Sequence, residues 1–379
     1  LYTNQSVLYT NISVNGIIKA NKRVRAGGNY VPVISLRNSP PVTKMGGGFI
    51  MRKSLSYKIL LSVLGITSLY VFHNPVASAI TYEGSRLNGK GAPITITDNQ
   101  ISINGQIKDL AVNASVYGNH SQNSDANYND VTINHSEISI VFSGWGINAN
   151  SNKVTLINDS YAGYVRGGYS NSEKGETTNG NTVTISESTV ENVYGGYSYY
   201  GSANNNIVII DNSVVSAIIG GYAPKGKSAT GNTVKIIGNS DIENADIYGG
   251  RSDSGNIDVF TGNTLTIDGW SGSTKSVKNF NGINFDNINW QNGRTVLTIT
   301  EGADNDLANT EIYLNSIAGG SKIAVGDTMT LIESSNNVDL GINKDNVKVS
   351  NSFFAGVAAE GTGTATVKDD GSVEFKVNT

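Results

Sequence analysis

The chain has 379 residues, 38% hydrophobic and 15% charged, enough to bury a sizeable core in one large domain or in two or three average ones. Forty-four glycines, abundant Asn, Ser and Thr, and no cysteine argue against a helical bundle and exclude a disulfide framework, a Cys-ligated zinc site and thiol catalysis. Residues 1–79 hold nine Lys or Arg and no acid, which leaves 18 of the 27 basic and all 31 acidic groups downstream, a balance of about −13 that argues against a nucleic-acid partner.

Residues 1–50 carry no acidic residue and no helical stripe. Met45-Gly46-Gly47-Gly48-Phe49-Ile50-Met51 reads as an in-frame translation of a purine-rich ribosome-binding site followed by a start codon. The expectation is therefore an untranslated or disordered upstream segment over 1–50, with synthesis beginning at Met51; an extended leader is the alternative. Residues 51–79 then have the order of an export signal. Met51-Arg52-Lys53 and Lys58 are the basic start, 59–72 is an apolar run, and Pro75-Val76-Ala77-Ser78-Ala79 ends in small residues. Signal peptidase would read Ala77 and Ala79 and cut before Ile80. The apolar run is shorter than the roughly 20 residues that span a bilayer, which disfavours a membrane anchor.

From residue 129 onward the sequence repeats. Asn129, Asn152, Asn181, Asn206, Asn232 and Asn263 each stand two positions before a branched residue, at intervals of 23, 29, 25, 26 and 31. Glycine pairs travel with them: Gly167-Gly168, Gly195-Gly196, Gly220-Gly221 and Gly249-Gly250, spaced by 28, 25 and 29. Apolar residues alternate with polar ones inside each repeat, as Val183, Ile185, Val190 and Val193 show, so the repeats are short strands joined by turns. Strands that short do not persist alone, and a period of this length is one coil of a stack with Val and Ile turned inward. The expected fold class is all-β: a right-handed parallel β-helix, or solenoid, over 80–275, with a β-rich C-terminal cap over 276–379. Asn at matching corners would form a ladder, and the glycine pairs would serve positions of positive φ or close backbone approach.

Tyr169, Tyr197 and Tyr222 follow the glycine pairs in register, which suits either structural packing or a strip that binds a ligand such as a glycan. Asp304-Asn305-Asp306 lacks the glycine and distal Glu of a helix-loop-helix calcium site, so no metal is assigned, and no cofactor is expected. His120 and His135 are the only histidines after residue 79, and there is no G-x-S-x-G elbow, which argues against a serine hydrolase. Paired carboxylates across coils stay open, because spacing along the chain does not reveal them.

After about residue 275 the texture changes to strands with larger apolar groups, and 365–377 alternates around Asp369-Asp370-Gly371 as a hairpin would. With the export signal, the N-x-V-x-I and V-Y-G-G-Y coils and the stretch F-N-G-I-N-F, T-V-L-T-I-T, A-V-G-D-T-M-T-L-I at 280–332, the sequence resembles the autotransporter (type V secreted) family of Gram-negative bacteria. The resemblance implies Sec export, signal peptidase cleavage, a C-terminal outer-membrane β-barrel, and a β-helical passenger at the cell surface. Only 47 residues follow position 332, too few for a barrel of at least about 8 strands, so the expectation is an incomplete reading frame; a barrel-less secreted protein or a partner-delivered passenger is the alternative. The preferred function is non-enzymatic adhesion or aggregation against a host or bacterial surface glycan or protein, because a long repetitive face suits multivalent contact. A carbohydrate-active enzyme with paired carboxylates is the second.

Overall fold

The computed structural model describes residues 80–379 apart from 84, 104–105, 112, 175, 304–305, 320, 337, 350–361 and 379, together with short strands between residues 13 and 33. The early strands form two antiparallel pairs, Ser13–Val14 with Ile18–Lys19 and Lys22–Ala26 with Asn29–Val33. They belong to a unit of their own, and the second unit spans His73–Thr379. The export signal, with Ala77 and Ala79, lies outside the described residues; Ile80 is described and is partly buried against the core.

The second unit is a β-solenoid of two long sheets. Among the described residues its only helix is one 3-10 turn, Lys344–Asn346. One coil shows the plan: Thr182–Ser186 lies in the first sheet, a two-residue turn follows, and Thr189–Ser198 lies in the second. Each strand pairs in parallel with its counterpart one coil on, Thr182–Ser186 with Ile207–Asp211 and Thr189–Ser198 with Val214–Tyr222. The backbone bonds missing within so short a strand are thus made between coils.

Period-2 alternation turns every second residue inward, and parallel in-register pairing places like residues above one another. Val131, Val154, Val183, Val208 and Val234 form one buried column of the first sheet, and Ile133, Leu156, Ile185, Ile210 and Ile236 the next. Val116, Val141, Val165, Val193, Ile218 and Ile247 face them from the second sheet. Burying each such side chain contributes about 1.5–3 kcal/mol, so the core is a sum of nearly identical layers.

The turn between the sheets is built on left-handed backbone and a serine column. His135, Asp159, Glu187 and Asn212 have φ between 45° and 56°, and each directly precedes a buried serine. The N–H of Ser136 donates to Ser160 Oγ at 3.3 Å, that of Ser160 to Ser188 Oγ at 3.2 Å, and that of Ser188 to Ser213 Oγ at 3.1 Å. Backbone donors that the sharp corner removes from the sheet are satisfied by the next coil's hydroxyl.

Both ends are closed by antiparallel strands. At the start, Thr81–Glu83 pairs with Arg86–Asn88 and Gln100–Ile103 with Gln106–Asp109. The first sheet runs past residue 275, through Gly282–Asp286 and Glu311–Leu314 to Val347–Val349. Beside it, Gly272–Thr274, Thr295–Ile299 and Thr328–Ser334 start a third sheet that the hairpin Gly363–Val367 and Val373–Val377 completes. Phe280, Phe285 and Phe375 fill this end, with Trp290 edge-on to Phe375 at 5.8 Å. An open last coil would leave strand edges free to template other chains, and the hairpin covers one.

Candidate functional site

The repeat residues shape the face that the second sheet presents. Both the N–H and the Nδ2 of each Asn donate to the Oδ1 of the next: Asn152 to Asn181 at 2.9 and 3.0 Å, Asn181 to Asn206 at 3.0 and 2.9 Å, Asn206 to Asn232 at 3.0 and 3.0 Å. Asn129 donates into the column from below, and Asn263 ends it by turning its Nδ2 to the carbonyls of Ala229 and Val259 at 3.0 and 2.6 Å. The glycine pairs pack against this column. A Cβ on Gly167 would lie 2.7 Å from Asn181 Cβ, one on Gly195 would lie 2.7 Å from Asn206 Cβ, and one on Gly220 would lie 2.7 Å from Asn232 Cβ. Gly168, Gly196, Gly221 and Gly250 would each strike a backbone carbonyl of a connection that leads from the second sheet back to the first, that of Ala149, Thr178, Ala203 and Ala229 respectively, and Gly249 would meet Asn263 Cβ at 2.6 Å. None of the eight has positive φ, so close approach rather than turn conformation is the reason for glycine here.

With the glycines pressed to the inside, the residues flanking them stand on the outer face in two columns. His120, Trp145, Tyr169, Tyr197, Tyr222 and Arg251 are in register across six coils. Beside them run Tyr117, Phe142, Arg166, Tyr194, Ile219 and Tyr248. Ring centroids lie 4.9 Å apart for Trp145 and Tyr169, 5.1 Å for Tyr169 and Tyr197, and 5.0 Å for Tyr197 and Tyr222, mostly tilted or edge-to-face as ring quadrupoles prefer. The rings of Trp145, Tyr169, Tyr194, Tyr197 and Tyr222 are half-buried, sealed against each other and open outward.

Arg166 sits at the centre, with its guanidinium carbon 4.8 Å from the ring centroids of Phe142 and Tyr169, 5.1 Å from that of Tyr194 and 4.4 Å from that of Tyr197. Burial lowers its pKa from the usual arginine range, while the surrounding tyrosines act in the opposite direction. Ring faces stand where a carboxylate would usually stand, a cation–π arrangement that strengthens as water is excluded. Arg86 lies over Tyr117 at 4.7 Å, and Arg251 lies over Tyr222 and Tyr248 at 5.2 Å each. Of this strip, sequence reading found Tyr169, Tyr197 and Tyr222. It missed Arg166, Tyr194 and Tyr248, whose signal is their shared position directly before the glycine pair.

The remaining chemistry is thin. His120 Nδ1 accepts from Arg86 at 3.1 Å, the ring packs 4.4 Å from Trp145, and burial followed by the Arg86 charge lowers its pKa. His135 Nδ1 meets Asp98 at 2.7 Å on the exposed turn. Neither histidine hydrogen-bonds a serine among the described residues. Asp304 and Asn305 lie outside those residues, and Asp306 accepts from the Ala303 N–H at 2.8 Å; no group of three metal-ligating side chains occurs among the described residues. A shallow groove of about 430 Å³ near the turn is lined by Glu137, Ser139, Tyr161, Tyr164 and Glu191. Tyr161 Oη donates to Glu191 there at 2.6 Å, which raises the phenol's pKa.

Fold and face together define a β-solenoid carrying a continuous aromatic and guanidinium strip. No known family, curated protein or solved structure matches the chain.

Proposed function

We propose that the chain is an exported, surface-displayed passenger of the autotransporter type, not an enzyme, and that it acts in adhesion or aggregation through the outer face of its second sheet. The observation that carries this reading is the twelve-residue strip in register over six coils, in which eight positions are Tyr, Trp or Phe. Half-exposed rings at four successive coils, Trp145, Tyr169, Tyr197 and Tyr222, offer aromatic contacts in a row, so weak contacts add along a chain or surface that repeats too. Export through the Sec machinery, signal peptidase cleavage before Ile80 and passage through an outer-membrane β-barrel follow from the sequence resemblance. The absence of cysteine agrees with that route.

The test is adherence to cell surfaces by the purified protein, compared with a variant carrying Tyr169→Ala, Tyr197→Ala and Tyr222→Ala. Loss of adherence with unchanged circular dichroism is the expected result; unchanged adherence counts against the strip. The groove beside Glu137 and Glu191 favours a second reading, a glycan-cleaving enzyme. Product release from polysaccharides that Glu191→Gln abolishes would replace the first reading with the second.

A further inference from the structure

Two arginines belong to the strip, Arg166 and Arg251, and a third, Arg86, reaches over its first ring, Tyr117. The Arg86 guanidinium lies over Tyr117, that of Arg166 among the rings of Phe142, Tyr169, Tyr194 and Tyr197, and that of Arg251 over Tyr222 and Tyr248, so along the stack they are two to three coils apart, roughly 10–14 Å at about 4.8 Å per coil. Among the described residues none of the three is ion-paired to a carboxylate, whereas four lysines are. Arg166 Nε is buried without a partner, and no hydrogen bond from its Nη atoms occurs among the described residues. Among the described residues the one carboxylate bonded to a ring of the strip is that of Asp253, which accepts from Tyr222 Oη at 2.8 and 2.7 Å.

Resting on the adhesion reading, we propose that the strip binds a linear acidic polysaccharide in which isolated carboxylates are separated by uncharged sugars. The half-exposed rings of Tyr169, Tyr194, Tyr197 and Tyr222 offer flat apolar faces to the C–H faces of pyranose rings, and a sugar chain extends by a step comparable to the coil spacing. The guanidinium groups, two to three coils apart, can each bind one carboxylate through paired N–H donors, an interval that a carboxylate on every second sugar comes close to matching. A densely charged polyanion fits less well: most of its charges would lie over rings rather than over arginines, and the body downstream of residue 79, at about −13, repels it.

Isothermal titration of the full chain tests this with hyaluronan oligosaccharides, one carboxylate per disaccharide, beside neutral dextran and densely sulfated heparin. The expected result is hyaluronan binding that weakens as salt rises, at least tenfold weaker heparin binding and no dextran binding. Arg86→Gln with Arg251→Gln, two substitutions away from the buried centre, should weaken hyaluronan at least tenfold with unchanged circular dichroism. Equal binding of dextran, tighter binding of heparin, or full hyaluronan affinity in that variant overturns the proposal. If the protein adheres to cells but binds no hyaluronan at any ionic strength, this inference falls and the adhesion reading stands; if it does not adhere at all, the adhesion reading falls first.

Discussion

Asn181 donates twice to one atom of Asn206, from its backbone N–H at 3.0 Å and from its Nδ2 at 2.9 Å, and Asn206 repeats the act toward Asn232. Each asparagine is therefore acceptor for the coil before it and donor to the coil after it, in a fully buried column. Asn206→Ala removes three of these bonds and strands the donors of Asn181. Loss of a buried partner costs more than the bond's net worth, so the expected destabilisation is about 2–4 kcal/mol. A lowered urea midpoint with an unchanged slope is the measurement; a midpoint within error of the parent would remove the column from the account of stability.

The column has an unfinished end. Asn129 Oδ1 is buried and has no partner, and the register of Ile94 with Val131 puts Ala92 at the next position down. Ala92→Asn should supply the missing donor and stabilise the fold by about 1 kcal/mol, seen as a higher thermal midpoint. The same substitution at exposed Ser85, off the column, is the control that should change nothing.

The coils, the inward columns and the Asn column were legible because each recurs as a residue type at a nearly fixed interval. The serine column was not, since serine is common throughout the chain. The left-handed turn was hidden for a different reason: its key position is occupied in turn by His135, Asp159, Glu187 and Asn212, which share a backbone conformation and no side-chain chemistry. Arg166 escaped notice because it interrupts a column of Tyr and Phe, and only the sheet register shows that it lies among four rings. The continuation of the first sheet to Val347–Val349 was obscured where larger side chains replace the Val and Ile rows.

Glu187 is the least suited of those turn residues. Its φ of 48° is a region that Asn tolerates and longer side chains resist, and its side chain is exposed. Its backbone bonds, N–H to the Asp211 carbonyl at 3.0 Å and carbonyl to the Asp159 N–H at 2.7 Å, survive substitution. Glu187→Asn should raise stability by about 0.5–1 kcal/mol in chemical denaturation, while Glu187→Val, β-branched in the same conformation, should lower it.

The strip sets an alkaline limit. Burial raises the pKa of Tyr194, Tyr197 and Tyr222 above the ordinary value of 10.0, and at Tyr222 the hydrogen bond to the Asp253 carboxylate adds to the effect. A phenol whose pKa is higher folded than unfolded contributes stability that is fully present below about pH 10 and is lost as pH rises through the folded value. Denaturation free energy should therefore fall above about pH 10 as phenolate absorbance grows. Tyr222→Phe cannot ionise beside Asp253, so its stability should fall less steeply with pH over the same interval. A slope equal to the parent's would show that Tyr222 is not among the groups that set the limit.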